Sequence, residues 1–329
     1  MMDRDTLMLQ VADLYYQQNL NQKEIAKLFN ISRPTVSRLL EEARQKKLVE
    51  IIIHRPLPVC AELAQAVKEM LGLKYCIVVE NATDYKATLE RCAQATMDFF
   101  YTILDNNMTV AIAWGYPVRC FIEKLESRSY YNVHIAQMVG CLSTGDPTTD
   151  GIEYAAKFAE KVNGSFTNIY APVFVKNKIV KDYFEKEPPI LNAINRASKA
   201  DIAIMGVGLV DDKNSSLTKT GNITEEEWAY YRQKGGVAHL LARIFDSEGK
   251  EIQHPDKYTI AAPLAMLKNV NWSIGIAVSP EKDEAIRAAV KAGYINRRKV
   301  VGSRRQRWTS EKIGRRDACW GQAQPAGKT

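Results

Sequence analysis

Arg33, Ser37 and Arg38 recur at a spacing that places them on one side of a helix, with Pro34 and Thr35 at its start. Guanidinium and hydroxyl groups so arranged can hydrogen-bond base edges in the major groove of double-stranded DNA. Lys27, Arg44 and Lys46 fall where they would meet phosphates instead. Between Asn21 and Lys47 seven basic residues face three acidic ones, a local charge of +4. The chemistry is that of a polyanion-binding face. A structural helical hairpin with a solvated basic side is the bland alternative.

A second set of residues consists of glycines that close apolar, β-rich runs: Gly115, Gly140 and Gly206. In parallel α/β folds ligands bind at the carboxyl ends of the strands, where such glycines fall. Catalysis is the competing chemistry. A sugar isomerase needs a base near the substrate carbon, and Asp211 or Asp212, just past the Gly206 turn, could serve; solvated loop carboxylates are the plainer reading. Gly206 and Gly208 open a dinucleotide-type G-x-G-x-x-G pattern, but Asp211 stands at the third glycine position. His54, His134, His239 and His254 form no metal-binding cluster, and the six cysteines are scattered without a C-x-x-C pair. No catalytic residue, cofactor or metal is therefore expected, and the cysteines read as reduced, mostly buried thiols.

The elements that would position these residues can be read from periodicity. Leu7, Met8, Val11, Leu14 and Tyr15 predict a first helix ending near Asn19. Asn21 with Glu24 makes a capping-box pattern for a second helix that buries Ile25, Leu28 and Phe29. Asn30 sits at the sharp turn, and Ser32 caps a third helix with the apolar stripe Val36, Leu39, Leu40 and Ala43. A short strand over Val49 to Ile53 and the pair Pro56 and Pro58 mark a domain boundary. A helix over about Ala61 to Leu71 then ends at Gly72. From Tyr75 onward, β-rich runs (Tyr75 to Val79, Thr109 to Trp114, His134 to Val139, Ile202 to Met205, Trp272 to Val278) alternate with helical patterns, including Asp150 to Val162 and Pro280 to Ala292. That alternation predicts an α/β domain with a largely parallel sheet.

The chain has 329 residues, 46% apolar and 25% charged, which fits a folded globular protein of one or two domains. Early acidic residues leave no room for a secretory signal, and no apolar run is long enough to span a membrane. A cytoplasmic protein without membrane contact is expected. The overall charge of +7 is concentrated in the tail, since residues from Arg297 onward carry a net +8.

The run LYYQQNLNQKEIAKLFNISRPTVSRLLEEARQKKLVEIII resembles the amino-terminal segment of the SorC family of sugar-responsive bacterial transcriptional regulators. AIAWG around Trp114, AQMVGC around Gly140, APVFV at Ala171 to Val175, IMGVG at Ile204 to Gly208, K-x-x-A-I from Lys282 and GYIN at Gly293 to Asn296 follow in that family's order, covering about residues 7 to 296. The resemblance implies a helix-turn-helix domain over 1–58 and a Rossmann-like effector and oligomerisation domain over 59–296, similar in fold to sugar-phosphate isomerases and deaminases. It also implies a homodimer or homotetramer that binds operator DNA and responds to a sugar or sugar phosphate. Trp114, Gly115, Gly140, Gly206, Gly208, Gly236, His239 and Lys282 are the positions it assigns to the effector.

Three departures qualify the likeness. The family's S-W-G-x-T reads Ala113, Trp114, Gly115, Tyr116, Pro117, so both hydroxyls are lost. Its G-A-V-G-D reads Gly235, Gly236, Val237, Ala238, His239, with imidazole for carboxylate. GYIN runs not into an apolar strand but into Arg297, Arg298, Lys299 and a basic, atypical tail over 297–329. That composition reads as a shifted reading frame, with a nucleic-acid-binding extension or a solvated tail as alternatives, and supports no core strand.

Overall fold

The computed structural model describes residues 3–46, 48–49, 57–142, 144, 151–210 and 215–295. The chain divides into two compact units, Met1–Pro56 and Leu57–Thr329. Most of the strand expected over Val49 to Ile53, the loop with Asp211 and Asp212, and the whole 297–329 tail lie outside the described residues.

Among the described residues the first unit is three helices: α1 (Arg4–Tyr16), α2 (Gln22–Leu28) and α3 (Arg33–Gln45). Asn21 caps α2 through a capping box with Glu24, and Ser32 caps α3, whose first turn contains Pro34. Asn30, between them, adopts φ 52°, a left-handed conformation that Asn tolerates. Met8, Val11, Ile25, Val36, Leu39, Leu40 and Ala43 form the core. Leu28, expected inside, is 64% exposed. Ile25, Ala26 and Phe29 define the inward face of this two-turn helix, and Leu28 lies about a third of a turn away from its centre.

The second unit starts with α4 (Ala61–Leu71), which ends at Gly72 in the left-handed region, and α5 (Tyr85–Ile103). There follow β1 (Thr109–Ile112), α6 (Tyr116–Lys124), β2 (His134–Gln137), α7 (Ile152–Val162) and β3 (Ser165–Thr167). Next come β4 (Phe174–Val175), α8 (Lys178–Lys186), α9 (Pro188–Ser198), β5 (Ile202–Gly206) and β6 (Gly208–Leu209). The unit continues through α10 (Ser216–Lys219), α11 (Glu225–Gln233), β7 (Gly236–Leu240), β8 (Arg243–Asp246) and β9 (Tyr258–Thr259). It closes with β10 (Trp272–Ile276), a 3-10 turn (Pro280–Lys282) and α12 (Asp283–Lys291).

The main sheet has the order β10-β5-β1-β2-β3 and is parallel throughout. Val110 aligns with Ile135 on one side and Ile202 on the other, and β1, β2 and β5 are almost entirely buried, as a sheet covered on both faces requires. An antiparallel sheet β6-β7-β8 and the pair β4-β9 complete the unit. Tyr75 to Val79, expected as a strand, forms none; only Val79 makes an isolated bridge, to Val59. The sheet gains β3 instead, an edge strand of three residues, Ser165 to Thr167, too short to stand out as a β-rich run.

Candidate functional site

On α3 the inward stripe Val36, Leu39, Leu40 and Ala43 is buried against α1 and α2, which turns the opposite side to solvent. Arg33, Pro34, Thr35, Ser37, Arg38 and Arg44 are all exposed there, as is Lys27 on α2. At 100° per residue, Arg33, Ser37 and Arg44 fall within about 40° of one another and form a ridge along the helix. Among the described residues Arg33, Arg38 and Arg44 make no ion pair, so their cations face water. Ser32 Oγ accepts the Thr35 N–H at 3.2 Å and lies 2.8 Å from Thr35 Oγ1, which fixes the first turn of the helix.

Lys46 is placed differently from expectation. Its ammonium pairs with Asp5 at 2.8 Å and Glu42 at 3.4 Å, while Arg4 holds Glu42 at 2.9 Å. This belongs to the flank that meets α1, and the hydrogen bond to Asp5 raises the Lys46 pKa. Glu41, which sequence reasoning passed over, is exposed near the middle of the basic side. Its position at i+4 from Ser37 and i+3 from Arg38 was the available signal.

At the carboxyl ends of β1, β5 and β10 the second unit gathers a smaller set of groups. Gly115, at φ 122°, leads into α6, whose N-terminus has no side-chain cap. Gly206, at the end of β5, faces Pro117 of α6; a Cβ there would lie 3.5 Å from the proline ring. Two residues on, the His239 imidazole packs against Gly208, so closely that a Cβ on the glycine would fall 2.0 Å from Nε2. The ring is held by the β6-β7 pairing, which sets Gly208 opposite His239. Ser215 Oγ stands 3.4 Å from Nε2, and the Trp228 ring centre is 6.0 Å away. Burial, then the nearby Lys282 charge, push the His239 pKa down to about 3, so the imidazole is neutral. Lys282 is buried, and its ammonium donates to the Val207 carbonyl at 2.9 Å.

Gly115, Gly206, Gly208, His239 and Lys282 are thus assembled around one strand-end region. Trp114, Gly140 and Gly236 are placed otherwise. The Trp114 indole N–H donates to the Gly140 carbonyl at 2.7 Å, and the Gly140 N–H donates to the Ile260 carbonyl. Both polar groups of Gly140 are consumed by packing, and a Cβ there would strike the Ala171 carbonyl at 2.6 Å. Gly236, at the far end of β7 from His239, is a glycine because the Tyr231 carbonyl and Ile244 crowd it. Ser215 was missed because its hydroxyl reaches His239 across 24 positions of sequence. A further polar cluster lies elsewhere: His134 sits between Ser165 Oγ and Thr167 Oγ1, each at 2.8 Å. Burial and then Arg196 lower its pKa to about 4.

Residues 55–298 match a family described as a sugar-binding domain, and residues 8–46 match region 4 of sigma-70. The deoxyribonucleoside regulator of Bacillus subtilis (strain 168) is 30% identical over 299 residues, covering 90% of this chain and 95% of that protein. The full-length sorbitol operon regulator SorC from Klebsiella pneumoniae superposes with a TM-score of 0.71 at 23% identity, over 90% of this chain and 96% of the other. A DeoR family transcriptional regulator from Listeria monocytogenes gives 0.66 at 25% identity, over 71% and 93%.

Proposed function

The chain belongs to the SorC family of sugar-responsive transcriptional regulators, and from that premise we propose how its two units divide the work. The relatives are regulators rather than enzymes, which favours gene regulation over the isomerase reading. The first unit enters the major groove of operator DNA with α3. Arg33, Ser37 and Arg38, with Pro34 and Thr35 at the helix start, address base edges, while Lys27 and Arg44 address phosphates. The observation that carries this reading is the sidedness of α3, apolar stripe buried and unpaired cations outward.

The second unit binds a sugar or sugar phosphate where β1, β5 and β10 end. Neutral His239, seated against Gly208, reads a hydroxyl, Lys282 faces an anionic oxygen, and Gly206 permits close approach of the main chain. Two copies engage a pseudo-palindromic operator, and the protein works in the cytoplasm. No helix among the described residues is long and apolar enough to cross a membrane.

Screening sugars and sugar phosphates for thermal stabilisation, then for a shift in operator affinity, tests the reading. A true effector changes operator affinity by about 5- to 150-fold, the span of ordinary coupling energies. Lys282→Ala weakens that shift and leaves ligand-free operator binding nearly unchanged. A parent-like response in the variant removes Lys282 from the site.

A further inference from the structure

The side of α3 that faces away from the core is basic, yet it carries a carboxylate near its middle. The stripe Val36, Leu39, Leu40 and Ala43 is buried, and at 100° per residue Arg38 and Glu41 each lie about 150° from its centre, one on either flank of the point directly opposite. Glu41 therefore faces outward as squarely as Arg38 does. Both are exposed, as are Arg33, Ser37 and Arg44. The two glutamates of this helix are placed differently. Glu42 is turned to the α1 flank, where Arg4 and Lys46 hold its carboxylate at 2.9 and 3.4 Å. Glu41 makes no ion pair among the described residues, although Arg38 and Arg44 stand three positions before and after it, a spacing at which helical side chains can meet.

An unpaired carboxylate here is a liability against a polyanion. Phosphates repel it, and they do so on every sequence. A base edge can offset the repulsion only by presenting a hydrogen-bond donor, since an ionised carboxylate has acceptors alone. Two groups in the major groove qualify, the N6 amine of adenine and the N4 amine of cytosine. Adenine sets its N7 acceptor beside the amine, where it would confront the second carboxylate oxygen. Cytosine presents the amine with no acceptor of its own in that groove.

We propose that Glu41 is a specificity-determining residue of the first unit: it accepts a hydrogen bond from the N4 amine of one cytosine in each operator half-site and penalises sequences that lack it. This rests on α3 being the helix that reads DNA. The cations of its outer side strengthen binding to any duplex, whereas Glu41 weakens binding wherever no amine meets it.

Selection of binding sites from a randomised duplex library, with the full chain and with Glu41→Ala and Glu41→Gln, tests this. The parent should select a site with a C·G pair at one fixed position per half-site. Glu41→Ala should lose that preference alone, bind random duplex about two- to fivefold more tightly, and lower the ratio of operator to random affinity by about 5- to 150-fold. Glu41→Gln should turn the preference toward A·T, because an amide reads adenine. On the selected site, N4-methylcytosine at that pair should weaken the parent and leave Glu41→Ala unaffected, the signature of a direct partner. Weakening by 7-deazaguanine instead assigns the pair to an arginine at guanine N7 and overturns the proposal, as does a selected site or an affinity ratio unchanged in Glu41→Ala. If circular dichroism shows Glu41→Ala to melt below the parent, Glu41→Gln carries the comparison. A parent that selects no site at all is a separate failure, that of α3 as the reading helix.

Discussion

Arg38 projects from α3 on the exposed side, and its cation makes no ion pair among the described residues, so truncating it should weaken DNA binding without disturbing the fold. Arg38→Ala is expected to cost about 1–3 kcal/mol on the cognate operator and less on random DNA, read by titrations at one fixed salt concentration. Equal losses on both would mean that it meets a phosphate. His239 offers a test of the other unit. Its folded-state pKa of about 3 lies below the ordinary 6.5, so as pH falls through 6.5 the unfolded chain takes up a proton that the folded chain refuses. Stability of this unit should therefore decline from about pH 6.5 toward pH 3, and be indifferent to His239 above pH 7. His134, with its pKa near 4, adds to the same slope over a narrower range. His239→Gln should flatten the melting-temperature profile between pH 4 and about 6.5; an unchanged profile would mean that the imidazole takes up its proton in the fold as readily as in the unfolded chain.

The helix caps are local devices, and they were legible for that reason. Asn21 accepts from the Lys23 and Glu24 N–H groups, each at 3.0 Å, while Glu24 accepts in return from the Asn21 N–H. Asn21→Ala should cost about 1 kcal/mol, measurable by urea denaturation of the first unit. The same short-range logic found Ser32, the left-handed Asn30 and the apolar stripe of α3. It found the strands β1, β2, β5 and β10 as well, since each carries enough apolar and β-branched residues to read as a strand whichever neighbour it takes. What it could not find depends on distant partners. Tyr75 to Val79 has strand composition, yet β10 does not pair with it, so the pattern has no ladder to join. β3 lies at an edge with two of its three residues exposed, and needed no apolar signal. In the candidate site, the histidine and the glycine beneath it are 31 positions apart in sequence and meet only through the β6-β7 register. Separation along the chain likewise hid the structural duty of Trp114 and Gly140.

At the scale of the whole chain, each unit has a hydrophobic core of its own. That of the first is small, nine buried residues among those described, centred on Met8, Ile25 and Val36, against the extensive core built on the parallel sheet of the second. Bodies with separate cores need not melt together. Differential scanning calorimetry should resolve two heat-absorption peaks, with the smaller enthalpy belonging to the helical unit, because unfolding enthalpy scales with the number of residues involved. A single peak with equal calorimetric and van't Hoff enthalpies would instead show one cooperative body. Two peaks would turn a thermogram into an address: DNA should move one and a sugar the other, each by mass action on the body that binds it. A compound that displaced both at once would thereby report, without any map of the complex, that occupancy in one body is felt in the other.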